Sequence, residues 1–278
     1  MTVDTHAPAA HYDRVTAAWG LLLGEELHYG LFRSGDEDLA TATAQLTARM
    51  IEAAGFEPGQ RVLDVGCGTG APAARLAREF GVEVLGITTS AVGVAAATER
   101  ARNEGLATAT FEVRDGTDNG LPPDSFDRVW VMESSHLMPD RPGLLRECAR
   151  VLRPGGRLVL CDIIRRRPIP FQELRERRRE FAVLRSAFGA ARMDALEEYR
   201  AYAEAAGLGD VRCDDITQET LATFDRWQDN VDRHRDEVEA ILGRPSVDDF
   251  EESLTILRSL WLEGTLGYGV LSASSPGE

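Results

Sequence analysis

Arg61-Val-Leu-Asp-Val-Gly-Cys-Gly-Thr-Gly70 decides how the rest of this 278-residue chain is read. Val62, Leu63 and Val65 make a short apolar run with one acid, Asp64, inside it, and glycines end the run. That pattern predicts a buried parallel strand entering a turn. The next residues, Ala71 to Phe80, carry Pro72 in a first helical turn and apolar residues at helical spacing, so the turn is expected to open a helix. Gly66, Gly68 and Gly70 let the backbone fold tightly and leave no Cβ between it and a ligand. Strand, glycine turn and helix together predict a site for a nucleotide-like ligand.

Gly66 to Ala71 also satisfies the loose dinucleotide pattern GxGxx(G/A), which alone says little. Asp64 separates the two ligand classes. An acid at the end of this strand repels a pyrophosphate but attracts the ammonium of an amino-acid moiety. VLDVGCGTG as it stands resembles the first motif of class I S-adenosylmethionine (SAM) methyltransferases. The resemblance implies SAM as cofactor and S-adenosylhomocysteine as its product, with Asp64, Gly66, Gly68 and Gly70 in the cofactor site.

Composition bounds the partners. The net charge of −15 argues against nucleic acid, whose affinity comes mainly from basic residues meeting phosphates. A small-molecule substrate is expected instead, and a homo-oligomer is left open. A hydrophobic fraction of 43% suits a globular protein with a substantial core, and no apolar run approaches the roughly 18 residues that span a bilayer. No membrane partner is expected, and the first residues lack a signal-peptide pattern, so the cytoplasm is the expected location. All 31 cationic side chains are arginine. Cys67, Cys148, Cys161 and Cys213 show no CxxC and no paired spacing, so neither a metal site nor a disulfide is expected.

Along the chain, residues 1 to 55 read as helices joined by a segment rich in glycine and aromatics. Tyr12-Asp13 and His28-Tyr29-Gly30 resemble elements that precede the first strand in bacterial and plant small-molecule methyltransferases, in which an aromatic N-terminal helix closes the site. Tyr12, Trp19 and Tyr29 are accordingly expected in a lid; the alternative is a helix packed on the core. Residues 56 to 164 form the expected SAM-binding core. Its second strand, Val82 to Ile87, ends in Thr88-Thr89-Ser90 with no ribose-binding acid. Gly86 to Ser90 resembles the GITxS variant of the family, in which hydroxyls and backbone amides of Thr88, Thr89 and Ser90 take that role. The family often has Gln where this chain has Gly93, which removes one ribose contact. The third strand ends at Asp115-Gly116, where a carboxylate can accept from the adenine amino group; the same pair also reads as a turn. Phe126 to Glu133 reads as a fourth strand, Leu144 to Leu152 as a helix, Arg153 to Gly156 as a tight turn and Arg157 to Ile164 as a fifth strand. Residues 165 to 278 are expected to supply a helical cap and the strands that complete the sheet. The resemblance implies a closing strand, Gly267 to Ala273, running antiparallel at the sheet edge. The arginines from 165 to 179 read as a solvated, ion-paired face, with a substrate carboxylate or phosphate as the alternative.

Chemistry is expected after the fourth strand, because ligands of open α/β sheets sit at the carboxyl ends of the strands. Glu133 is expected to face the cofactor there, and Glu133-Ser134-Ser135-His136-Leu137-Met138-Pro139-Asp140 resembles the active-site loop of sugar and natural-product methyltransferases. The resemblance implies His136 as the base that takes the acceptor's proton, and Asp162 as a residue that orients His136 or binds a substrate hydroxyl. The fold expected is α/β, a Rossmann-like seven-stranded sheet with a helical N-terminal lid and a helical insertion before the last strand. The activity expected is SAM-dependent methyl transfer to a small molecule, at a hydroxyl of a secondary metabolite, as in the tocopherol and sarcosine methyltransferase-like group. The alternatives are C-methylation coupled to cyclisation, a cyclase that binds SAM without methyl transfer, a regulatory protein on a degenerate scaffold, and an NAD-dependent oxidoreductase, the last disfavoured by Asp64 and by the missing ribose acid.

Overall fold

The computed structural model describes residues 15, 16 and 18–277. In chain order its elements are α1 (Leu39–Ala54), β1 (Arg61–Val65), α2 (Ala71–Phe80), β2 (Glu83–Thr88), α3 (Ala91–Asn103), β3 (Ala109–Val113), β4 (Phe126–Met132), α4 (Arg141–Val151) and β5 (Leu152–Arg165). They continue as α5 (Phe171–Glu176), α6 (Arg178–Phe188), α7 (Leu196–Ala205), β6 (Gly209–Asp215), α8 (Thr217–Thr220), α9 (Thr223–Leu242), α10 (Arg244–Leu262) and β7 (Leu266–Ser274). Residues 18–22, ahead of α1, are also helical. The chain folds as two compact units. One comprises Thr47–Asp162, Asp194–Asp215 and the residues from Gly269 on; the other comprises the described residues up to Leu46, Ile163–Met193 and Ile216–Tyr268.

The first unit is built on a sheet that, among the described residues, has seven strands in the order β3-β2-β1-β4-β5-β7-β6. β1 lies between β2 and β4, parallel to both, with Asp64 opposite Gly86 on one side and Trp130 on the other. Burial on both faces explains its composition: Val62, Leu63 and Val65 are at most 1% exposed. The strand order reverses between β1 and β4, and the loops that leave their carboxyl ends face a common crevice. On one side of the sheet α4 and α7 share a core with it through Leu144, Leu145, Tyr199 and Ala203. Asp140 caps α4 by accepting from Gly143 N at 2.8 Å, a local stop signal that fixes where the β4 loop ends.

Two sequence expectations need correction here. Arg153 to Gly156 is not a separate turn: β5 begins at Leu152 and runs through it, and the pairing with β4 shifts between Phe126 and Arg128 to absorb the extra residues. Gly155 at φ 75° makes that irregularity sterically acceptable. The closing strand β7 is antiparallel to β6, as expected, but β6 holds the edge and β7 is inserted beside β5.

In the second unit Tyr29 is the centre of an aromatic cluster. Its ring stacks on Trp261 with centroids 5.6 Å apart and planes at 5°, and meets Trp227 at 4.8 Å, Tyr268 at 5.1 Å and Phe224 at 5.7 Å. Trp19 lies against Phe188, which in turn meets Phe250. Such pairs add to the large area that each ring buries. The arginine-rich segment is ion-paired largely as a solvated face: Arg167 forks onto Glu173, Arg177 bonds Glu180 and Glu263, and Arg179 reaches Glu252.

Gly70 tests the packing of the glycine turn. It sits at φ 77°, and a Cβ there would come within 2.7 Å of Ala97 Cβ. Gly105 has a similar φ of 68° with nothing within 4 Å. Both Gly→Ala changes carry backbone strain, but only Gly70→Ala also overpacks. In urea denaturation, Gly70→Ala should cost about 1–3 kcal/mol more than Gly105→Ala. Equal losses would mean that α3 moves aside freely.

Candidate active site

The turn after β1, the loop after β4 and the end of β2 converge at the carboxyl end of the sheet. Gly66 N and Cys67 N both donate to Ile87 O, at 2.8 and 3.1 Å. Gly66, at φ 83°, passes so close to Ser134 that a Cβ would lie 2.2 Å from the serine Cβ, while Ser134 Oγ donates to Val65 O at 2.7 Å. Glycine at 66 is therefore demanded by protein against protein, and at 70 by α3. This accounts for the tight fold expected of both glycines from packing within the protein itself. Gly68, at φ 53°, puts its carbonyl against the start of α3: a Cβ at Gly93 would stand 3.0 Å from Gly68 O. The close approach favours glycine at position 93.

Asp64 is 2% exposed, and its Oδ2 is buried with no hydrogen-bond partner. Burial pushes its carboxyl up to about 7. A buried acid with an orphaned oxygen beside a glycine turn fits a cationic ligand group, which would supply the missing partner. Cys67, between two of the glycines, is 4% exposed, and burial together with the Asp64 charge pushes its thiol well up.

The hydroxyls expected at the ribose are divided. Ser90 caps α3, accepting from Gly93 N at 2.8 Å. Thr88 Oγ1 accepts from Ser90 N at 3.3 Å, and Thr89 is exposed. Asp115 is exposed, with Oδ1 accepting from Thr117 N and Thr117 Oγ1 in a local turn. Gly116 is buried against Val65 and Met138, with room for no Cβ. Val113, at the end of β3 and 55% exposed, is a residue that the sequence reading passed over. Its signal was a β-branched residue beside the Asp115-Gly116 turn.

Across the crevice His136 and Asp162 are joined. His136 Nδ1 lies 2.6 Å from Asp162 Oδ1, and His136 N donates to Oδ2 at 3.0 Å. Asp162 is fully buried within β5, not at its end; the His136 side chain keeps 12% of its surface exposed. Burial works against the imidazolium, but the Asp162 charge and hydrogen bond outweigh it and raise the His136 pKa. Burial likewise disfavours the carboxylate, yet the imidazole and the donors around it hold Asp162 below the ordinary range. With Nδ1 committed to Asp162, proton exchange with an acceptor falls to Nε2.

Glu133 starts the loop with φ 46°, a left-handed conformation unusual for a residue with a side chain, and its charge favours the imidazolium of His136. Sequence reading missed four further residues. Ser135 Oγ donates to Asp162 Oδ2 and lies 2.7 Å from Tyr199 Oη. Arg141 forks onto Asp194 at 2.5 and 2.9 Å and donates to Met138 O at 2.9 Å. Trp19 and Tyr29 are in the core of the other unit, and Tyr12 lies outside the described residues.

Comparison with known proteins follows the same line. The sequence profile of the mycolic acid cyclopropane synthetase family matches residues 1–267. The chain is 36% identical over 267 residues to 27-O-demethylrifamycin SV methyltransferase of Amycolatopsis mediterranei (strain S699), covering 95% of both chains. The crystal structure of the [4+2]-cyclase SpnF superposes with a TM-score of 0.83 at 27% identity, over 99% of this chain and 97% of that one. The mycolic acid cyclopropane synthase CmaA1, solved with SAH and CTAB, shares the fold with a TM-score of 0.85 at 20% identity over 99% of each chain. The chain belongs to the mycolic acid cyclopropane synthetase family of class I SAM-dependent methyltransferases.

Proposed function

We propose that this enzyme transfers the methyl group of SAM to a hydroxyl of a small secondary metabolite, with His136 as general base and Asp162 as the residue that orients it. The observation that carries the reading is the 2.6 Å contact between His136 Nδ1 and a fully buried Asp162. It fixes one tautomer, turns Nε2 outward for proton removal and stabilises the imidazolium that results. A relative whose name describes methylation of a rifamycin supports the acceptor class.

Bound SAM supplies an electrophilic methyl on a sulfonium. Asp64 would hold its ammonium, the Gly66, Gly68 and Gly70 backbone its amino-acid end, Thr88, Thr89 and the helix start capped by Ser90 its ribose, and Asp115 and Gly116 its adenine, with Glu133 at the loop between cofactor and acceptor. Much of the acceleration comes from holding the acceptor in line. The working compartment is the cytoplasm, in keeping with four free cysteines; among the described residues no helix is long and apolar enough to cross a membrane. A second reading, cyclisation, is favoured by the likeness to SpnF over nearly the full length of both chains.

His136→Ala should lower kcat by about 10²–10⁴-fold near neutral pH and leave SAM affinity in calorimetry unchanged. A base must be unprotonated, and the His136 pKa is raised. The acid limb of kcat/KM in the wild type should therefore have its midpoint above the ordinary histidine value of about 6.5. The deficit of His136→Ala should shrink as alkali ionises the hydroxyl directly. Unchanged turnover in this variant on the native acceptor would favour cyclisation.

Asp64 attracts a cation only when ionised. With its carboxyl pushed up to about 7, SAM affinity should rise with pH below that value, toward tenfold per pH unit, and flatten above it. Asp64→Asn should bind weakly and lose this part of the dependence. A wild-type affinity that follows the Asp64→Asn curve would remove Asp64 from the cofactor site.

A further inference from the structure

Tyr199 has no part in the methyl-transfer reading, yet its ring is fully buried and its hydroxyl is 2.7 Å from Ser135 Oγ. A serine hydroxyl carries one hydrogen. Ser135 donates that hydrogen to Asp162 Oδ2, so the hydrogen between Ser135 and Tyr199 comes from the phenol. The chain of donors runs from Tyr199 to Ser135 to Asp162, and His136 N–H reaches the same carboxylate oxygen. We propose that Tyr199, acting through Ser135, is a positioning residue that sets how tightly the Asp162 carboxylate holds the proton of His136. The proposal rests on His136 being the base only for its catalytic consequence, not for the titration itself.

Tyr199 is held where this requires. At the start of α7, Ala195 N donates to Glu198 Oε2 at 2.7 Å. The residue before it, Asp194, takes both arms of Arg141 and a hydrogen bond from Tyr202 Oη at 3.2 Å. Because Arg141 also donates to Met138 O, the loop bearing His136 is tied at two places, through Ser135 to Tyr199 of α7 and through Met138 and Arg141 to Asp194 just ahead of it. The charged groups facing His136 are Asp162 and Glu133, which favour the imidazolium, and Arg141, which opposes it. Tyr199 faces Asp162, Asp194 and Arg141. Burial pushes its phenol up, so it remains a neutral donor and does not itself titrate where His136 does.

The direction of the effect follows from where the charge is uncompensated. With His136 protonated, Asp162 shares its charge with the imidazolium; with His136 neutral, it depends on its other donors alone. Removing a donor therefore destabilises the neutral-histidine state more than the ion pair, and His136 keeps its proton to higher pH.

The test is an NMR titration of the histidine side chains of the full-length enzyme, with His136 assigned by its absence in His136→Gln. Tyr199→Phe should raise the His136 midpoint, and so should Ser135→Ala. The double variant should titrate no higher than Ser135→Ala alone, whereas Ser135→Thr, which keeps a hydroxyl, should return toward wild type. The acid limb of kcat/KM should move upward with the midpoint in each case. A folded Tyr199→Phe whose midpoint is unmoved or lowered overturns the proposal, as does a Tyr199→Phe shift that persists in the Ser135→Ala background. If Tyr199→Phe does not fold, an unmoved midpoint in Ser135→Ala is equally decisive against it. A raised midpoint alongside normal turnover of His136→Ala would refute the base assignment and leave the tuning standing.

Discussion

Two aspartates buried in the same sheet are held in opposite protonation balance, and the site depends on that difference. Ionising a carboxylate out of water costs roughly several kcal/mol unless donors replace the lost hydration. Asp162 receives hydrogen bonds from Ser135, from the His136 backbone and from the imidazole, and remains charged. Asp64, on a strand separated from β5 only by β4, has an oxygen with no donor, and its pKa is pushed up. One acid is completed by the fold itself; the other keeps a buried oxygen without a donor. Environments that drive two like groups apart in this way are how a site assigns different roles to identical chemistry.

The fold was legible where local constraints and topology coincide. Val62, Leu63 and Val65 mark a buried strand, the glycines permit the tight turn that ends it, and Pro72 suits a first helical turn, so together they leave little room for anything but strand, turn and helix. The insertion of β7 beside β5 has no such local signature. Gly267 to Ala273 is an apolar run that suits an edge or an interior position, and only its neighbours, distant in sequence, decide between them. The β5 irregularity escaped for a related reason: Pro154 and two glycines spell a turn locally, while pairing with β4 carries the strand through it.

The site was legible as a loop and not as a network. His136 and Asp162 stand at strand ends or in strands whose order is predictable, so their meeting could be anticipated. Tyr199 arrives from α7, whose sequence LEEYRAYAEA reads only as amphipathic, and Asp194 from the segment just ahead of it; their roles exist through partners far along the chain. Tyr29 shows the converse. Its aromatic setting near the N-terminus reads equally as lid or core, because both bury a ring, and the structure surrounds it with four other aromatic side chains.

Cys67 gives the glycine turn a chemical property of its own. A Cβ at Gly86 would lie 2.9 Å from Cys67 Cβ, so the cysteine fills space that its neighbour leaves vacant, and it is enclosed with its thiol far from ionisation. Thiolate is the reactive form, and burial disfavours it while the turn stays closed over the sulfur. The rate at which an alkylating reagent modifies Cys67 is thus a clock for opening of the turn, built into the segment around which the chain folds.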